Sequence, residues 1–262
     1  MNRTHTRRYI ESVIDYLETH HHHDLIAVIL FGSVSFPSKD SRSTDVDLLI
    51  VMHDHCSDEK LKIIKESVFK IERALLIDQE YDINLIRSLQ SSTGMFANCF
   101  VCRLIDFEQR RFSKVFNVNR ILSAVLAPQN SVWMSLLRQH RIVWGKNVFA
   151  NWSKLPTLTK WDITKSFFMT WLLATGALAL SLIHPQIIKF SMEAVKWSLF
   201  TWRNYHNAMY FTPLQIVKAY KAEDVCIGEF LKFRNNYPVH PLFPFWAWMF
   251  ILRLHFQLFR GI

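Results

Sequence analysis

The chain has 262 residues, half of them hydrophobic and a fifth charged, a composition that excludes an intrinsically disordered protein and allows a sizeable core. Four cysteines in a chain of this length exclude a disulfide framework and indicate a reducing compartment. The first 23 residues carry charges throughout and contain no continuous apolar run, so we expect no signal peptide and a cytoplasmic location.

Helical and strand patterns alternate over the first 90 residues. Apolar residues at helical spacing predict helices over 4–19 and 57–77. Short apolar runs at 25–31 and 46–52 predict two buried strands, and alternating residues at 81–86 predict a third. This order of helices and strands predicts an α/β sheet domain.

Two groups of residues have metal-binding side chains but lack the pattern of a metal site. His20 to His23 follow the first predicted helix, and without further ligands we interpret them as a solvated loop. Cys99 and Cys102 have the CxxC spacing of a zinc site, but no second pair of cysteines or histidines is spaced to complete a tetrahedral set. We therefore expect these cysteines to be buried and structural.

After about residue 90 the sequence is mainly helical. A linker is predicted at 155–157, and it divides the protein into domains 1–150 and 151–262. The second domain is predicted to be all-helical, basic and rich in aromatic residues, since all nine tryptophans lie beyond residue 130. Its helices are predicted at 162–183, 187–204 and 213–222.

Two long apolar stretches have the length of a membrane-spanning helix. Residues 166–183 contain no charge, and residues 242–259 contain only Arg253 and His255. Small polar residues dilute the first stretch and prolines lie beside both, so we interpret them as core helices of the second domain. The basic charge and the many aromatic residues leave peripheral contact with a membrane as an alternative.

Two carboxylates open the second predicted strand. Side chains two residues apart on a strand point to the same face, so Asp45 and Asp47 project together, with α-carbons about 7 Å apart. Asp82 opens the third predicted strand at a comparable height. Three carboxylates on one face repel one another unless divalent cations lie between them, and hard oxygen ligands favour Mg²⁺ or Mn²⁺.

Gly32 and Ser33 end the first predicted strand upstream of these carboxylates. A glycine at a strand end lets backbone N–H groups approach a phosphate closely, and a serine adds a hydroxyl donor. The pair therefore predicts a site for the phosphates of a nucleoside triphosphate, beside two metal ions that stabilise the leaving pyrophosphate.

The stretch from Gly32-Ser33 through an eleven-residue spacer to Asp45-Val46-Asp47, with Asp82 further on, resembles the nucleotidyltransferase fold of the DNA polymerase β superfamily. Residues 141–146, RIVWGK, are similar to the stretch that closes this domain in antibiotic and minimal nucleotidyltransferases. The resemblance implies an α/β (α+β) nucleotidyltransferase domain with a small mixed sheet, followed by an all-α helical domain.

The resemblance also implies an activity, the transfer of a nucleoside monophosphate from ATP or another NTP onto a hydroxyl-type acceptor. Asp45 and Asp47 would hold both metal ions, Mg²⁺ or Mn²⁺. Asp82 would complete the second metal site and orient or deprotonate the acceptor, and Gly32 and Ser33 would bind the β,γ-phosphates. The alternatives are a catalytically inactive member that acts as a binding or regulatory module, and a membrane-associated member.

Lys189, Lys196 and Arg203 recur every seven residues along one predicted helix of the second domain. Relatives often supply a phosphate-binding lysine from their helical domain, which makes Lys196, or Lys189, a candidate for contact with the triphosphate. The alternative is a solvated basic stripe.

The positive charge of the chain is concentrated in its second domain. Residues 1–150 hold 19 Lys/Arg and 17 Asp/Glu, whereas residues 151–262 hold 12 and 5. Because a polycation is bound by carboxylates, this balance predicts anionic or neutral partners for the second domain. We expect a nucleoside triphosphate as one partner and a neutral or anionic acceptor as the other: a small molecule, a nucleic-acid end or a protein hydroxyl.

Overall fold

The structure is a computed structural model that describes residues 3–32, 35, 46–75, 98–152, 156–181, 184, 187–208, 213–220, 224–234 and 238–261. Contacts within the chain define two compact units, Met1–Ser123 with Gln139–Lys154 and Ala124–Arg138 with Leu155–Ile262. The second unit thus includes a segment that lies before residue 150 in the sequence. A single division of the chain at residue 150 stays a prediction.

The first unit contains a four-stranded mixed sheet with strand order β3-β2-β1-β4. Strand β1 is antiparallel to both β2 and β4, and β2 is parallel to β3. The elements in chain order are α1 (Arg3–His21), β1 (Leu25–Phe31), β2 (Asp47–Met52), α2 (Asp58–Leu75), β3 (Cys99–Arg103), α3 (Leu104–Glu108), α4 (Phe112–Val115), α5 (Arg120–Leu126), which continues into the second unit after Ser123, and, after one helix of the second unit, β4 (His140–Gly145).

The first two strands were predicted closely from the sequence, and the other two were not. β1 has the predicted bounds, and β2 begins one residue later than predicted. The strand predicted at 81–86 lies outside the described residues, and the predicted mainly helical region after residue 90 contains β3 and β4. Helix α1 continues through His21, so His20 and His21 are helical and the predicted four-histidine loop was wrong in its first half.

One face of the sheet packs against α1 and α2. Alternate strand residues on this face, among them Leu30, Leu48 and Ile50, join a core with Val13 of α1 and Val68 of α2. Strands that are covered on both faces are apolar throughout, which explains why β1 and β2 read as continuous hydrophobic runs. Burial of each such side chain stabilises the fold by about 1.5–3 kcal/mol.

The opposite face of the sheet is covered by aromatic side chains. Phe31 of β1 lies 6.1 Å from Phe100 of β3, and Phe100 contacts Phe116 edge to face at 5.3 Å. Phe107 of α3 contacts Phe149 in the same manner at 5.2 Å. Among the described residues, aromatic contacts therefore lie on the face opposite to α1 and α2.

All four cysteines are buried and free, as expected. Cys99 and Cys102 lie within β3, where burial raises the pKa of the Cys99 thiol to about 12 and also raises that of Cys102. A thiol with so high a pKa stays protonated at neutral pH and is a poor nucleophile. The predicted burial of this pair is confirmed, and its purely structural role stays a prediction.

The described residues of the second unit form helices and their connections, with no strand among them. Its helices are α6 (Gln129–Arg138), α7 (Lys160–Ser181), α8 (Ile188–Tyr205), α9 (Pro213–Tyr220), α10 (Val225–Arg234) and α11 (Phe243–Arg260). α7, α8 and α9 lie within two residues of their predicted bounds. Pro244 sits at the start of α11, where a proline is tolerated because the N–H it lacks would have no partner within the helix.

Helix α7, among the described helices, has the length and apolar composition needed to cross a membrane. It packs against α8 and α11, and its buried side chains include polar ones. Ser166 and Thr201 of α8 share a buried hydrogen bond of 2.6 Å, and Thr170 donates to the Ser166 carbonyl. These contacts bury one side of α7, whereas Phe168 and Leu172 are exposed and only 33% of its apolar stretch is buried, so its interpretation as a core helix stays a prediction. Peripheral contact of this unit with a membrane stays a prediction.

Gly145 should be intolerant of substitution, in contrast to Gly176 of α7. Gly145 ends β4 with a φ of +84°, and a Cβ there would lie 2.1 Å from the carbonyl oxygen of Ile26, whereas a Cβ at Gly176 meets nothing within 4 Å. We expect Gly145→Ala to lower the free energy of unfolding by about 1–3 kcal/mol. Gly176→Ala should raise it by about 0.5–1 kcal/mol, since alanine favours the helix.

Urea unfolding followed by circular dichroism measures both changes. A neutral Gly145→Ala substitution would contradict the close approach of β4 to β1.

Candidate functional site

The pairing of β1 with β2 brings two predicted site residues together at one end of the sheet. The ladder matches Phe31, the last residue of β1, with Asp47, the first residue of β2. Gly32 directly follows Phe31, so it lies beside Asp47 although fourteen residues separate them in the sequence. Hydrogen bonding between the strands, and not the length of the spacer, sets this proximity.

Gly32 and Asp47 are in direct contact. Gly32 has a φ of +71°, and a Cβ placed on it would lie 2.2 Å from Oδ2 of Asp47. Both the left-handed backbone and the lack of room require a glycine here. The sequence analysis assigned this glycine to phosphate approach, and the structure adds that its backbone makes room for the carboxylate.

A serine that the sequence analysis did not single out holds the turn after Gly32. The Ser35 hydroxyl donates to the Gly32 carbonyl at 2.7 Å, and the Ser35 backbone N–H donates to the same oxygen at 3.3 Å. Ser35 is buried. A serine bonded to a backbone group a few residues away is a common turn motif, but the polar spacer contains several serines and the sequence does not distinguish this one.

Asp47 projects from the sheet face opposite to α1 and α2. Its strand neighbours Leu48 and Ile50 belong to the core beneath those helices, and alternation turns Asp47 the other way. It is half-buried. A half-buried carboxylate at the end of an apolar strand is costly to desolvate, so a bound cation would stabilise it.

His140 lies in the same row of the sheet as Asp47. Phe31 pairs with Asp47 on one side and with His140 of β4 on the other, so all three side chains share one face. Two strand spacings separate the α-carbons of Asp47 and His140 by roughly 10 Å. The His140 ring lies against Phe149, with ring centroids 3.9 Å apart. Sequence reasoning missed this histidine because only the strand register relates it to Asp47.

Two carboxylates act on a buried tyrosine near this end of the sheet. Tyr9 of α1 is fully buried, and burial raises the pKa of its hydroxyl, with further raising by Cys99, Glu72 and Asp47. Its oxygen has no hydrogen-bond partner within the described part of the chain. Because two carboxylates act on the same hydroxyl, a cation bound at this end would be stabilised by both.

Glu72 is the second of these carboxylates, and the sequence analysis did not select it. It accepts a hydrogen bond of 2.8 Å from the Asn98 side chain, and the Asn98 carbonyl accepts one of 2.7 Å from the backbone of Leu48. Glu72 follows Ile71 directly on the apolar side of α2. The sequence feature that could have indicated Glu72 is a charged residue beside the apolar face of a predicted helix.

The structure places three of the six predicted site residues. It brings Gly32 and Asp47 together, and Asp47 offers the carboxylate oxygens that Mg²⁺ prefers. Lys196 lies on α8 of the helical unit, where its ammonium pairs with Glu193 at 2.5 Å. Ser33, Asp45 and Asp82 lie outside the described residues, so their assignments stay predictions.

The predicted solvated stripe of Lys189, Lys196 and Arg203 is not a solvated face. Arg203 is fully buried, and burial together with the nearby Arg138 lowers the pKa of its guanidinium to about 9. It donates to Ser135 at 2.9 Å and to Asn204 at 3.0 Å. The prediction of a solvated stripe was wrong for Arg203, because α8 is central to its unit and is packed against other helices on several sides.

No family model matches the sequence, and no curated protein matches it. Among solved structures, the chain is similar to the crystal structure of spectinomycin adenyltransferase AAD(9) from Enterococcus faecialis with ATP and spectinomycin. The likeness has a TM-score of 0.54 and covers 96% of this chain and 98% of that chain, at 10% sequence identity. At this identity it shows the fold alone, and it confirms the predicted α/β nucleotidyltransferase domain with a helical region.

The contact between Gly32 and Asp47 can be tested by a double-mutant cycle. Gly32→Ala should lower the free energy of unfolding by about 1–3 kcal/mol, because the new methyl group meets the carboxylate and the backbone is left-handed. In an Asp47→Ala background the carboxylate is gone and the two Cβ atoms would be 3.6 Å apart, an ordinary contact. Only the backbone term, about 1–2 kcal/mol, should then remain.

The four proteins of the cycle are compared by urea unfolding. An equal effect of Gly32→Ala in both backgrounds would show that the two residues do not touch.

Proposed function

We propose that this protein is a metal-dependent nucleotidyltransferase that transfers AMP from ATP to a hydroxyl group of an acceptor. The observation that carries the proposal is the packing of Gly32 against the Asp47 carboxylate at the paired ends of β1 and β2. It joins a backbone able to approach phosphate with a hard-oxygen metal ligand. The fold shared with an adenyltransferase crystallised with ATP supports it.

The proposed residue roles follow the sequence motif. Asp45 and Asp47 hold two Mg²⁺ ions, Asp82 completes the second ion's ligands, and Gly32 and Ser33 bind the β,γ-phosphates. Bound Mg²⁺ supplies neutralisation of phosphate charge and stabilisation of the leaving pyrophosphate. Among the described residues of this set, Asp47 is half-buried, and its carboxylate acts together with that of Glu72 on the Tyr9 hydroxyl, so both carboxylates would attract a cation.

The reaction proposed is an in-line displacement at the α-phosphorus of ATP. The acceptor oxygen forms the new bond to phosphorus, the bond from phosphorus to the pyrophosphate oxygen breaks, and the hydroxyl proton passes to Asp82. Lys196 is proposed to contact the triphosphate. Because its ammonium is paired with Glu193, it would have to exchange that carboxylate for a phosphate.

Asp47→Asn should weaken Mg-ATP binding by at least about tenfold while leaving the stability of the fold nearly unchanged. The substitution removes the charge that holds the ion but keeps the side-chain volume. Asp58→Asn is a matched control, since Asp58 lies in the same unit and is exposed and paired with Arg103. Isothermal titration calorimetry with ATP, in the presence of Mg²⁺ and of EDTA, measures both variants.

Equal Mg-ATP affinity of the Asp47→Asn protein and the wild type would overturn the site assignment. Mg-ATP binding without turnover on any acceptor would instead favour an inactive binding module.

We further propose that the acceptor is neutral or anionic, because the carboxylates of the helical unit are already engaged. Asp162 accepts from the Thr159 hydroxyl at 2.6 Å and from the Asn130 side chain at 2.9 Å. Glu193 pairs with Lys196. Both carboxylates are buried.

The other two described acidic residues of this unit are also paired. Asp224 binds Arg253, and Glu229 binds Lys232 at 2.6 Å and accepts from the backbone N–H of His240 at 2.8 Å. These hydrogen bonds hold the pKa of Glu229 below its usual value. Within the described residues, this unit therefore offers no unengaged carboxylate to the ammonium groups of a polycation.

The acceptor class is tested with radiolabelled ATP and a panel of acceptors of different charge. We expect transfer of label to a neutral or anionic small molecule, a nucleic-acid end or a protein hydroxyl, and little transfer to aminoglycosides carrying several amines. Spectinomycin belongs in the panel because the similar adenyltransferase was crystallised with it. An aminoglycoside labelled faster than every other class would contradict the proposal.

A further inference from the structure

A second cluster of polar side chains lies at the other end of the sheet. β1 begins at Leu25 and β2 ends at Met52, and these residues pair with each other. The flanking segments are joined by a hydrogen bond of 2.8 Å from the His53 N–H to the Asp24 carbonyl. The Cys56 N–H donates to the His53 carbonyl at 3.1 Å and closes a turn. The fold thereby holds Asp24, His55 and Cys56 together.

The ligand atoms of these three residues converge. An Asp24 carboxylate oxygen, an imidazole nitrogen of His55 and the Cys56 sulfur all lie within 4.8 Å of one another. The distance from Nε2 of His55 to Oδ1 of Asp24 is 2.7 Å. In a tetrahedral zinc site, bonds of roughly 2.0–2.3 Å place ligand atoms roughly 3.3–3.8 Å apart. Small side-chain adjustments would therefore admit an ion.

We propose that Asp24, His55 and Cys56 form a binding site for a transition-metal ion of the Zn²⁺ type. A thiolate and an imidazole are ligands that favour such ions over Mg²⁺. This site is therefore chemically distinct from the carboxylate site beside Gly32, and it does not depend on the proposed nucleotidyltransferase activity. On binding, the Cys56 thiol loses its proton to solvent and a metal–sulfur bond forms.

The surroundings suit a three-ligand site with one open position. The Cys56 residue is 2% exposed, while the side chains of Asp24 and His55 are 14% and 67% exposed, so the site has a buried floor and a route to solvent. A water molecule could complete a tetrahedron from that side.

Two positively charged neighbours, Lys60 and Arg103, donate hydrogen bonds to residues that supply the ligands. Lys60 donates to Oδ2 of Asp24 at 2.6 Å, which leaves Oδ1 directed at His55. Hydrogen bonds to the second oxygen of a ligating carboxylate are usual in metal sites. Arg103 donates to the Cys56 carbonyl at 2.7 Å and fixes the backbone of that ligand. When the Cys56 thiol loses its proton, the thiolate adds the negative charge that balances a dication bound beside the Lys60 ammonium.

Cobalt substitution distinguishes this site from simple binding by the histidine run. A thiolate bound to Co²⁺ gives a near-ultraviolet charge-transfer band that imidazole ligands alone do not give, and tetrahedral Co²⁺ gives strong visible bands. We expect both signals when the full-length protein, kept reduced, is titrated with Co²⁺. Added Zn²⁺ should abolish them.

Two reciprocal variants test the ligands. Cys56→Ser keeps every histidine and should lose the charge-transfer band and bind Zn²⁺ more than about tenfold more weakly in competition with a chromophoric chelator. A triple variant of His20, His22 and His23 to Asn keeps the proposed ligands and should retain both signals. His55→Asn, at an exposed position, should weaken binding without affecting the fold.

The proposal is overturned if the wild type shows no charge-transfer band, if Cys56→Ser retains it, or if the histidine-run variant loses it.

Discussion

The antiparallel register of β1 and β2 is the constraint on which the rest of the first unit depends. It matches Phe31 with Asp47 at one end and Leu25 with Met52 at the other. A shift by one residue would turn every core side chain of one strand to the opposite face, so the buried face enforces the register. Because β1 is central, its register also positions β4 on its other side.

Because of this register, two polar clusters of different chemistry lie at opposite ends of the sheet. At one end, the Asp47 carboxylate lies against Gly32, where a cation and phosphate are proposed to bind. At the other end, a carboxylate, an imidazole and a buried thiol converge beneath a lysine. The faces between them are filled with aliphatic and aromatic side chains, and a polar group there would be costly to desolvate.

The elements that sequence predicted well are those whose pattern is set locally. β1 and β2 are continuous apolar runs, and helices of the second unit have apolar residues at helical spacing. Their predicted bounds therefore agree with the observed ones to within a few residues. β3 and β4 were missed for a different reason. β3 has five residues and pairs in parallel with a distant segment, and β4 contains the exposed Arg141 and is only partly buried. Neither has a local pattern that separates it from a helix or loop.

The residues of the candidate site, like the strands and helices, were predictable only where a local sequence pattern marks them. Gly32 and Asp47 carry a motif that can be recognised from residue type and spacing. Glu72 and His140 belong to the same end of the sheet only through helix packing and strand register, which no local pattern contains. The burial of Arg203 was likewise beyond prediction, because the packing of α6 on α8 brings Ser135 to it.

The internal pairing of the helical unit's carboxylates has a kinetic consequence. With Asp162, Glu193, Asp224 and Glu229 engaged, the described surface charge of that unit is carried by lysines and arginines, and its field extends about 10 Å into solvent at 0.1 M salt. Such a field draws polyanions towards the protein and accelerates their encounter, by an amount that falls steeply as ionic strength rises. Encounter with an uncharged molecule gains nothing from it, so under the proposed function added salt would slow the arrival of the nucleotide and leave that of a neutral acceptor unchanged.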